Sequence, residues 1–171
     1  MAKILIAIAE KGFRDEEFTE PYKILKNAGH AVTVASTSVG EAQGKLGLRV
    51  KPNVSIDRVD PSQYDAIVVV GGPGTPAYIW PNTALQKALR AVYDKGGIVA
   101  AICLAPVVLA RAGLIKNKKC TVFPTTESLT EIKVAGGLLQ DQPVVVDGRI
   151  VTGNGPDAAT TFGEALLKLL K

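Results

Sequence analysis

Continuous runs of apolar residues alternate along this chain with segments whose apolar residues recur at helical spacing. An uninterrupted apolar run is typical of a strand in a parallel sheet that is covered on both faces. The alternation therefore predicts an α/β fold in which a doubly wound, mostly parallel sheet carries helices on both faces. We predict strands at residues 4–9, 31–35, 66–70, 98–102 and 121–123, with a further short strand near residues 48–52.

The first amphipathic segment covers residues 15–27, where Phe18, Tyr22 and Leu25 recur at helical spacing. Acidic residues at its beginning favour the positive end of the helix dipole. Pro21 lies inside the segment and predicts either a kink or a later start of the helix. Further helices are predicted at residues 82–95, from just after Cys103 to residue 112, and at residues 156–170, and a loop is predicted at residues 10–14.

A hairpin is predicted near the C-terminus, because Asp147-Gly148 separates two apolar stretches at residues 143–147 and 149–152. No internal repeat, low-complexity tract or linker interrupts the chain. We therefore expect residues 1–171 to form a single flavodoxin-like domain with an added hairpin. In such sheets ligands collect at the carboxyl ends of the strands, so a functional site is expected in the loops there.

The composition narrows the chemistry that such a site can perform. The chain has 171 residues and a net charge of +4, and it contains two cysteines and one histidine. These few ligands exclude a metal site built from several His and Cys, and also a disulfide framework. The one histidine, His30, stands between a helix and a strand, a position that favours a loop role over catalysis.

Two kinds of partner are disfavoured by the pattern of charged and apolar residues. The short basic run Lys116, Lys118, Lys119 has no aromatic residue within it, which argues against nucleic acid. No apolar run approaches the ~18 residues of a membrane-spanning helix. The apolar run near the N-terminus is shorter than the ~7–15 residues of a signal peptide's apolar core, so we expect a cytoplasmic protein whose thiols stay reduced.

One cysteine stands where covalent chemistry is plausible. Cys103 directly follows the apolar stretch 98–102, and Pro106 suits the first turn of a helix just beyond it. A thiol at such a turn resembles a nucleophile elbow, where free N–H groups and the helix dipole favour a thiolate. The backbone of Gly71-Gly72, after another predicted strand, could supply a second oxyanion donor. A buried core role for Cys103 is equally compatible with this position.

Several short motifs follow one another along the chain: Glu17 four residues before Pro21, Gly71-Gly72, Ala100-Ala101-Ile102-Cys103 with Pro106, residues 147–152 and Gly155-Pro156. In this order and spacing they resemble the ThiJ/PfpI superfamily, which includes a protein deglycase and archaeal intracellular proteases. The resemblance covers essentially the whole chain. It implies a reactive Cys103 beside a protonated Glu17 that donates a hydrogen bond to the thiolate or its sulfinate. It also implies that the N–H groups of Gly72 and Leu104 stabilise an anion.

The function that this resemblance implies is a cysteine-dependent enzyme acting on reactive carbonyls in a glyoxalase- or deglycase-type reaction. Cys103 would attack the carbonyl carbon and Glu17 would move the proton. The expected substrate is a small carbonyl compound or a glycated protein, and no cofactor or metal is implied. Because family members self-associate, a homodimer or a higher homo-oligomer is expected.

Departures from the family pattern leave other functions open. Leu104 and Phe123 stand where family members carry histidine, which disfavours an intracellular cysteine peptidase. Arg14 stands in the place of a family acid. A non-catalytic, redox-sensing stress protein with an oxidisable Cys103 is therefore the main alternative. Cys120 is expected to be a buried structural thiol.

Overall fold

The apolar stretches of the sequence become strands in the computed structural model, which describes residues 1–171. The strands are β1 Lys3–Ala7, β2 Lys11–Phe13, β3 Ala31–Ser36, β4 Ala42–Gly44, β5 Arg49–Val50, β6 Val54–Ser55, β7 Ala66–Val69, β8 Ile98–Ile102, β9 Lys119–Cys120, β10 Leu138–Leu139, β11 Val144–Asp147 and β12 Ile150–Gly153. The helices are α1 Asp15–Asn27, α2 Thr75–Tyr78, α3 Thr83–Asp94, α4 Pro106–Arg111, α5 Thr126–Val134 and α6 Ala159–Leu169.

Seven of these strands pair into one sheet in the order β11-β12-β8-β7-β1-β3-β6. All neighbours are parallel except β11 and β12, which form the predicted antiparallel hairpin. Strands β7 and β8 are buried along their whole length, as is β1 apart from Lys3. Uninterrupted burial requires cover on both faces of the sheet. The predicted doubly wound, flavodoxin-like α/β architecture is therefore confirmed.

Helix α1 begins at Asp15 and continues through Pro21, so the later start suggested by the proline is wrong. Pro21 has no N–H to donate to the carbonyl four residues back, which costs the helix one hydrogen bond. The buried proline instead packs against α6, where a Cβ on Gly163 would lie 3.2 Å from the Cα of Pro21. Glycine at position 163 thus allows the two helices to approach closely.

The segment predicted as a loop at residues 10–14 contains β2, and this part of the prediction is wrong. Strand β2 pairs with β4, and β4 pairs with β5, in a separate three-stranded sheet. A strand of three residues is too short to show an alternating pattern, and its partner lies about thirty residues further along the chain. The short strand predicted near residues 48–52 is present as β5.

The prediction of a strand at residues 121–123 is also wrong. The strand in this part of the chain is β9, which ends at residue 120 and pairs with β10. After β9, backbone N–H groups donate to acceptors that are not part of a neighbouring strand's ladder. The N–H of Thr121 donates to Oγ1 of Thr152 at 2.9 Å, and the N–H of Phe123 donates to the carbonyl of Cys103 at 2.8 Å. The chain from 121 to 123 is therefore tied to the end of β12 and to the turn after β8.

Side-chain caps mark the starts of two helices, α3 and α5. Asn82 accepts a hydrogen bond from the N–H of Leu85 and caps α3, which matches the helix predicted at 82–95. Helix α5 was not predicted, although a reciprocal cap between Thr125 and Ser128 marks its start. The final predicted helix begins with a 3-10 turn, Pro156–Ala158, before α6. None of the helices combines the length and apolar character needed to cross a bilayer.

Candidate active site

Cys103 occupies a strained turn at the carboxyl end of β8. Its φ angle is 65°, a left-handed conformation that costs a residue with a side chain roughly 1–2 kcal/mol. The N–H of Cys103 donates to the carbonyl of Gly153 at 2.8 Å, and its carbonyl accepts from the N–H of Phe123 at 2.8 Å. These two bonds hold the strained residue in place, as in the nucleophile elbow that the sequence predicts.

The carboxyl group of Glu17 lies in the same place, although it comes from the first turns of α1. Glu17 is fully buried, and its Oε1 accepts a hydrogen bond from the N–H of Gly71 at 3.1 Å. Its Oε2 is buried without any hydrogen-bond partner. Burial is the main cause that raises the pKa of Glu17 to about 7, against weaker opposing effects from Cys103 and the N–H of Gly71. The group therefore changes charge near neutral pH.

Gly71 sits at the point where these two side chains meet. A Cβ at position 71 would lie 2.5 Å from the Cβ of Cys103 and 2.8 Å from Oε1 of Glu17. The next residue, Gly72, has a φ of 119°, a conformation that favours glycine. The structure thus brings together Cys103, Glu17, Gly71 and Gly72 from three separate parts of the chain.

The surroundings of the thiol do not favour the thiolate that the turn was expected to produce. Burial, and then the negative charge of Glu17, raises the pKa of Cys103 to about 12. The N–H groups of Gly72 and Leu104 act on the sulfur in the opposite direction. Helix α4 begins only at Pro106 and has six residues, so its dipole has less influence than the sequence suggested. Burial thus disfavours the thiolate, and the carboxyl group of Glu17 lies beside the thiol as a candidate proton acceptor.

A pocket of about 180 Å³ opens beside the thiol. Lys45, Pro73 and Pro156 line it and were not among the expected site residues. No local signal marks Lys45, because it reaches the pocket through the turn between β4 and β5. The whole lining consists of Arg14, Glu17, Lys45, Gly72, Pro73, Cys103, Leu104, Phe123 and Pro156. Other pockets have larger volumes, but no cysteine lines the pocket beside the two chain termini or the pocket along α6.

The fold and this arrangement match a known family, whose model, described as the DJ-1/PfpI family, covers residues 2–169. The chain belongs to the DJ-1/PfpI family. A deglycase of Thermococcus kodakarensis, TK1284, is 35% identical over 99% of both chains. An uncharacterized protein of Methanocaldococcus jannaschii is 46% identical over 99% of this chain and 83% of the relative. The crystal structure of a ThiJ/PfpI domain protein from Brachyspira murdochii matches with a TM-score of 0.93 and 32% identity, over 98% of this chain and 95% of that one.

In this DJ-1/PfpI chain, apolar side chains occupy the two positions where other family members carry histidine. Leu104 and Phe123 border the pocket next to Cys103. His30 cannot replace them, because it precedes β3 at the opposite end of the sheet, where its Nδ1 accepts from the N–H of Ala2 at 2.9 Å. Cys120 is fully buried and does not line the pocket. Glu17 is thus the side chain in the pocket that is best suited to act as a base.

Trp80 supports the DJ-1/PfpI elbow from outside the pocket. Its Nε1–H donates to the carbonyl of Leu104 at 2.7 Å. The guanidinium of Arg111 lies 5.7 Å from the centre of the Trp80 ring and also forms an ion pair with Glu131 at 2.9 Å. Through these contacts, helices α4 and α5 hold the peptide that follows Cys103.

Proposed function

We propose that this chain is a DJ-1/PfpI-type enzyme in which Cys103 attacks reactive carbonyl compounds, as in a glyoxalase- or deglycase-type reaction. The observation that carries the proposal is the strained Cys103 thiol facing a buried carboxyl, Glu17, across a small pocket. The deglycase name of the Thermococcus kodakarensis relative supports the same class of chemistry. The substrate would be an α-oxoaldehyde such as methylglyoxal, or its adduct on a protein.

In the first step the sulfur of Cys103 bonds to the aldehyde carbon of methylglyoxal. Glu17 takes the thiol proton and passes it to the former carbonyl oxygen, which gives a neutral hemithioacetal. While negative charge develops on that oxygen, the N–H groups of Gly72 and Leu104 stabilise it. The pocket therefore offers a nucleophile, a proton carrier and an oxyanion site in one place.

The later steps use the same carboxylate again. Glu17 removes the proton from the former aldehyde carbon while the neighbouring carbonyl oxygen gains a proton, which gives an enediol. It then returns a proton to the neighbouring carbon while the hydroxyl on the former aldehyde carbon loses its own, which converts the enediol into a thioester. Water then hydrolyses the thioester, releasing lactate and restoring the Cys103 thiol. Methylglyoxal and one water molecule contain all the atoms of the product, so the reaction needs no external oxidant. A pKa near 7 lets Glu17 both accept and donate a proton at neutral pH.

The decisive experiment is lactate release from methylglyoxal by the purified protein. We expect turnover by the native chain and a loss of at least about a thousandfold in the Cys103→Ala variant, because the nucleophile is removed. Cys120→Ala is the matched control, since it removes a buried thiol that lies outside the pocket. Turnover that survives Cys103→Ala, or absence of turnover in the native chain, would contradict the proposal.

A redox-sensing role for Cys103 is the second candidate. The N–H groups of Gly72 and Leu104 and the unpartnered Oε2 of Glu17 could bond to the oxygens of a sulfinate. The raised pKa of Cys103 slows oxidation, because the thiolate is the form that reacts with peroxide. If the protein is a sensor, peptide mass spectrometry after mild peroxide treatment will find sulfinate at Cys103 well before Cys120 is oxidised. Equal oxidation of the two thiols would reject this role.

A further inference from the structure

Lys45 brings a positive charge to the mouth of the Cys103 pocket. It lies in the turn between β4 and β5, and its exposed side chain borders the pocket together with Arg14. The ammonium group has no carboxylate within ion-pair distance, unlike the arginines at positions 14, 49 and 111. A cation without a partner at the entrance of a pocket attracts anionic molecules.

The turn that carries Lys45 is held at several points. The backbone N–H of Lys45 donates to the carbonyl of Phe13 at 2.8 Å. The carboxylate of Asp15 accepts from the N–H groups of Leu46 at 3.0 Å and Leu48 at 2.9 Å. Gly44 makes room for this carboxylate, because a Cβ there would lie 2.3 Å from Oδ1 of Asp15. The position of Lys45 at the pocket is therefore fixed by the fold of the loop.

The other charged groups near the pocket are engaged by neighbours or buried. Arg14 forms a bidentate ion pair with Glu16, in which both N···O distances are 2.9 Å. These two charges therefore largely cancel. Asp15 uses both carboxylate oxygens to hold the turn. Glu17 is buried inside the pocket and carries a proton for part of the time near neutral pH. Lys45 is the exposed cation of the pocket lining that has no carboxylate within ion-pair distance.

We propose that Lys45 makes this pocket select carbonyl substrates that carry an anionic group. The substrate class is a small α-oxoaldehyde with a carboxylate or a phosphate, whose aldehyde carbon reaches Cys103 while the anion lies at Lys45. This inference rests on the proposed function for its substrate and on the pocket alone for its charge preference. A volume of about 180 Å³ suits a molecule of that kind, because pockets for drug-sized ligands measure roughly 300–1,000 Å³.

The charge preference can be measured without any turnover. Iodoacetate and iodoacetamide alkylate thiols in the same way and are similar in size, but only iodoacetate is negatively charged. The ratio of the two alkylation rates at Cys103 is followed by peptide mass spectrometry. The fraction of Cys103 present as thiolate cancels in this ratio, because both reagents react with the same protein. Divided by the ratio for glutathione, it reports the electrostatic potential at the thiol. We compare the native chain with Lys45→Gln and with the matched charge control Lys116→Gln, an exposed lysine away from the pocket.

We expect the normalised ratio to favour iodoacetate in the native chain and in Lys116→Gln. In Lys45→Gln it should fall by roughly threefold to tenfold, the effect of one nearby charge at intermediate dielectric. High salt should reduce the preference of the native chain in the same direction. An equal ratio in the native chain and Lys45→Gln would overturn the proposal, whether or not the protein turns over methylglyoxal.

A second arm uses substrates and separates the two sources of the anion. If methylglyoxal is turned over, we expect a higher kcat/KM for dioxopentanoate, an α-oxoaldehyde with a terminal carboxylate, or for a phosphorylated α-oxoaldehyde. The advantage should lie in KM and should disappear in Lys45→Gln. Equal kcat/KM for charged and neutral substrates would contradict the selection, while a lack of any turnover would contradict only the proposed function.

Discussion

The Glu17→Gln variant is expected to lose turnover while it gains stability at alkaline pH. Glutamine has nearly the same shape as glutamate but can neither accept the thiol proton nor return one to the substrate. General acid–base groups contribute about 100- to 10,000-fold to rates, so a loss of that size is expected in lactate release. The negative charge of Glu17 is one of the causes that raise the pKa of Cys103 to about 12, and this variant removes that charge. Alkylation of Cys103 by iodoacetamide near pH 8 should therefore be faster in Glu17→Gln, because the thiolate is the form that reacts.

The stability gain follows from the pKa of the same group. In the folded chain, burial raises the pKa of Glu17 from its ordinary 4.5 to about 7. The folded state therefore holds this proton more tightly than the unfolded state. The contribution of Glu17 to stability is fully present below about pH 4.5 and is lost as the pH rises through about 7. At about 1.4 kcal/mol per pKa unit, the loss amounts to about 3 kcal/mol above pH 8.

Urea unfolding at pH 5 and at pH 8.5 tests this prediction. The free energy of unfolding of Glu17→Gln should exceed that of the native chain at pH 8.5, and the difference should shrink at pH 5. Glu16→Gln is the control of opposite sign, because the hydrogen bond from Arg14 lowers the pKa of Glu16. That variant should gain nothing at pH 8.5. A Glu17→Gln variant that is less stable than the native chain at pH 8.5 would show that the carboxylate is better solvated than the fold suggests.

The Gly71→Ala variant is expected to damage stability and the site together. A Cβ at position 71 would lie 2.4 Å from the carbonyl oxygen of Ile102, in addition to its conflicts with Cys103 and Glu17. This carbonyl ends β8 and accepts a hydrogen bond from the N–H of Ala105 at 3.1 Å, so the end of the strand or the elbow must shift. Overpacking of this kind costs about 1–3 kcal/mol, and we expect the upper end of that range. Alkylation of Cys103 by iodoacetamide should change at the same time.

Gly40→Ala is the matched control for this substitution. The nearest atom to a Cβ at position 40 is Oγ of Ser38, at 3.6 Å, which is ordinary contact. Unfolding midpoints in urea should therefore stay close to the native value in Gly40→Ala and fall clearly in Gly71→Ala. Similar midpoints for the two variants would mean that Gly71 is not confined as tightly as these distances require.

The sequence predicts well those features that depend on neighbours along the chain. The apolar run at 98–102 and the helix at 15–27 are found with the same limits in the structure. The predicted hairpin also stands, because Asp147-Gly148 specifies a tight turn between two adjacent stretches. In each case the pattern that decides the structure lies within the element itself or next to it.

Features that depend on distant partners could not be predicted in this way. Strand β2 exists because it pairs with β4, and Lys45 reaches the pocket because Asp15 holds the turn that carries it. The sequence shows the turn at Cys103 but not the depth at which its thiol is buried, which raises the pKa of that thiol. The resemblance to the family pointed to Glu17 through its spacing from Pro21. That the Oε2 atom of Glu17 has no hydrogen-bond partner is visible only in the folded chain.

The hydrogen bond between the N–H of Cys103 and the carbonyl of Gly153 bears on how the protein is made. When Cys103 leaves the ribosome, strands β1, β3, β7 and β8 are already present and can pair with one another. Strand β12, which carries Gly153, is synthesised about fifty residues later. A nascent chain therefore has most of its parallel sheet before its nucleophile is held in position. The hydrogen bonding of the Cys103 turn is therefore completed only after β12 has been synthesised.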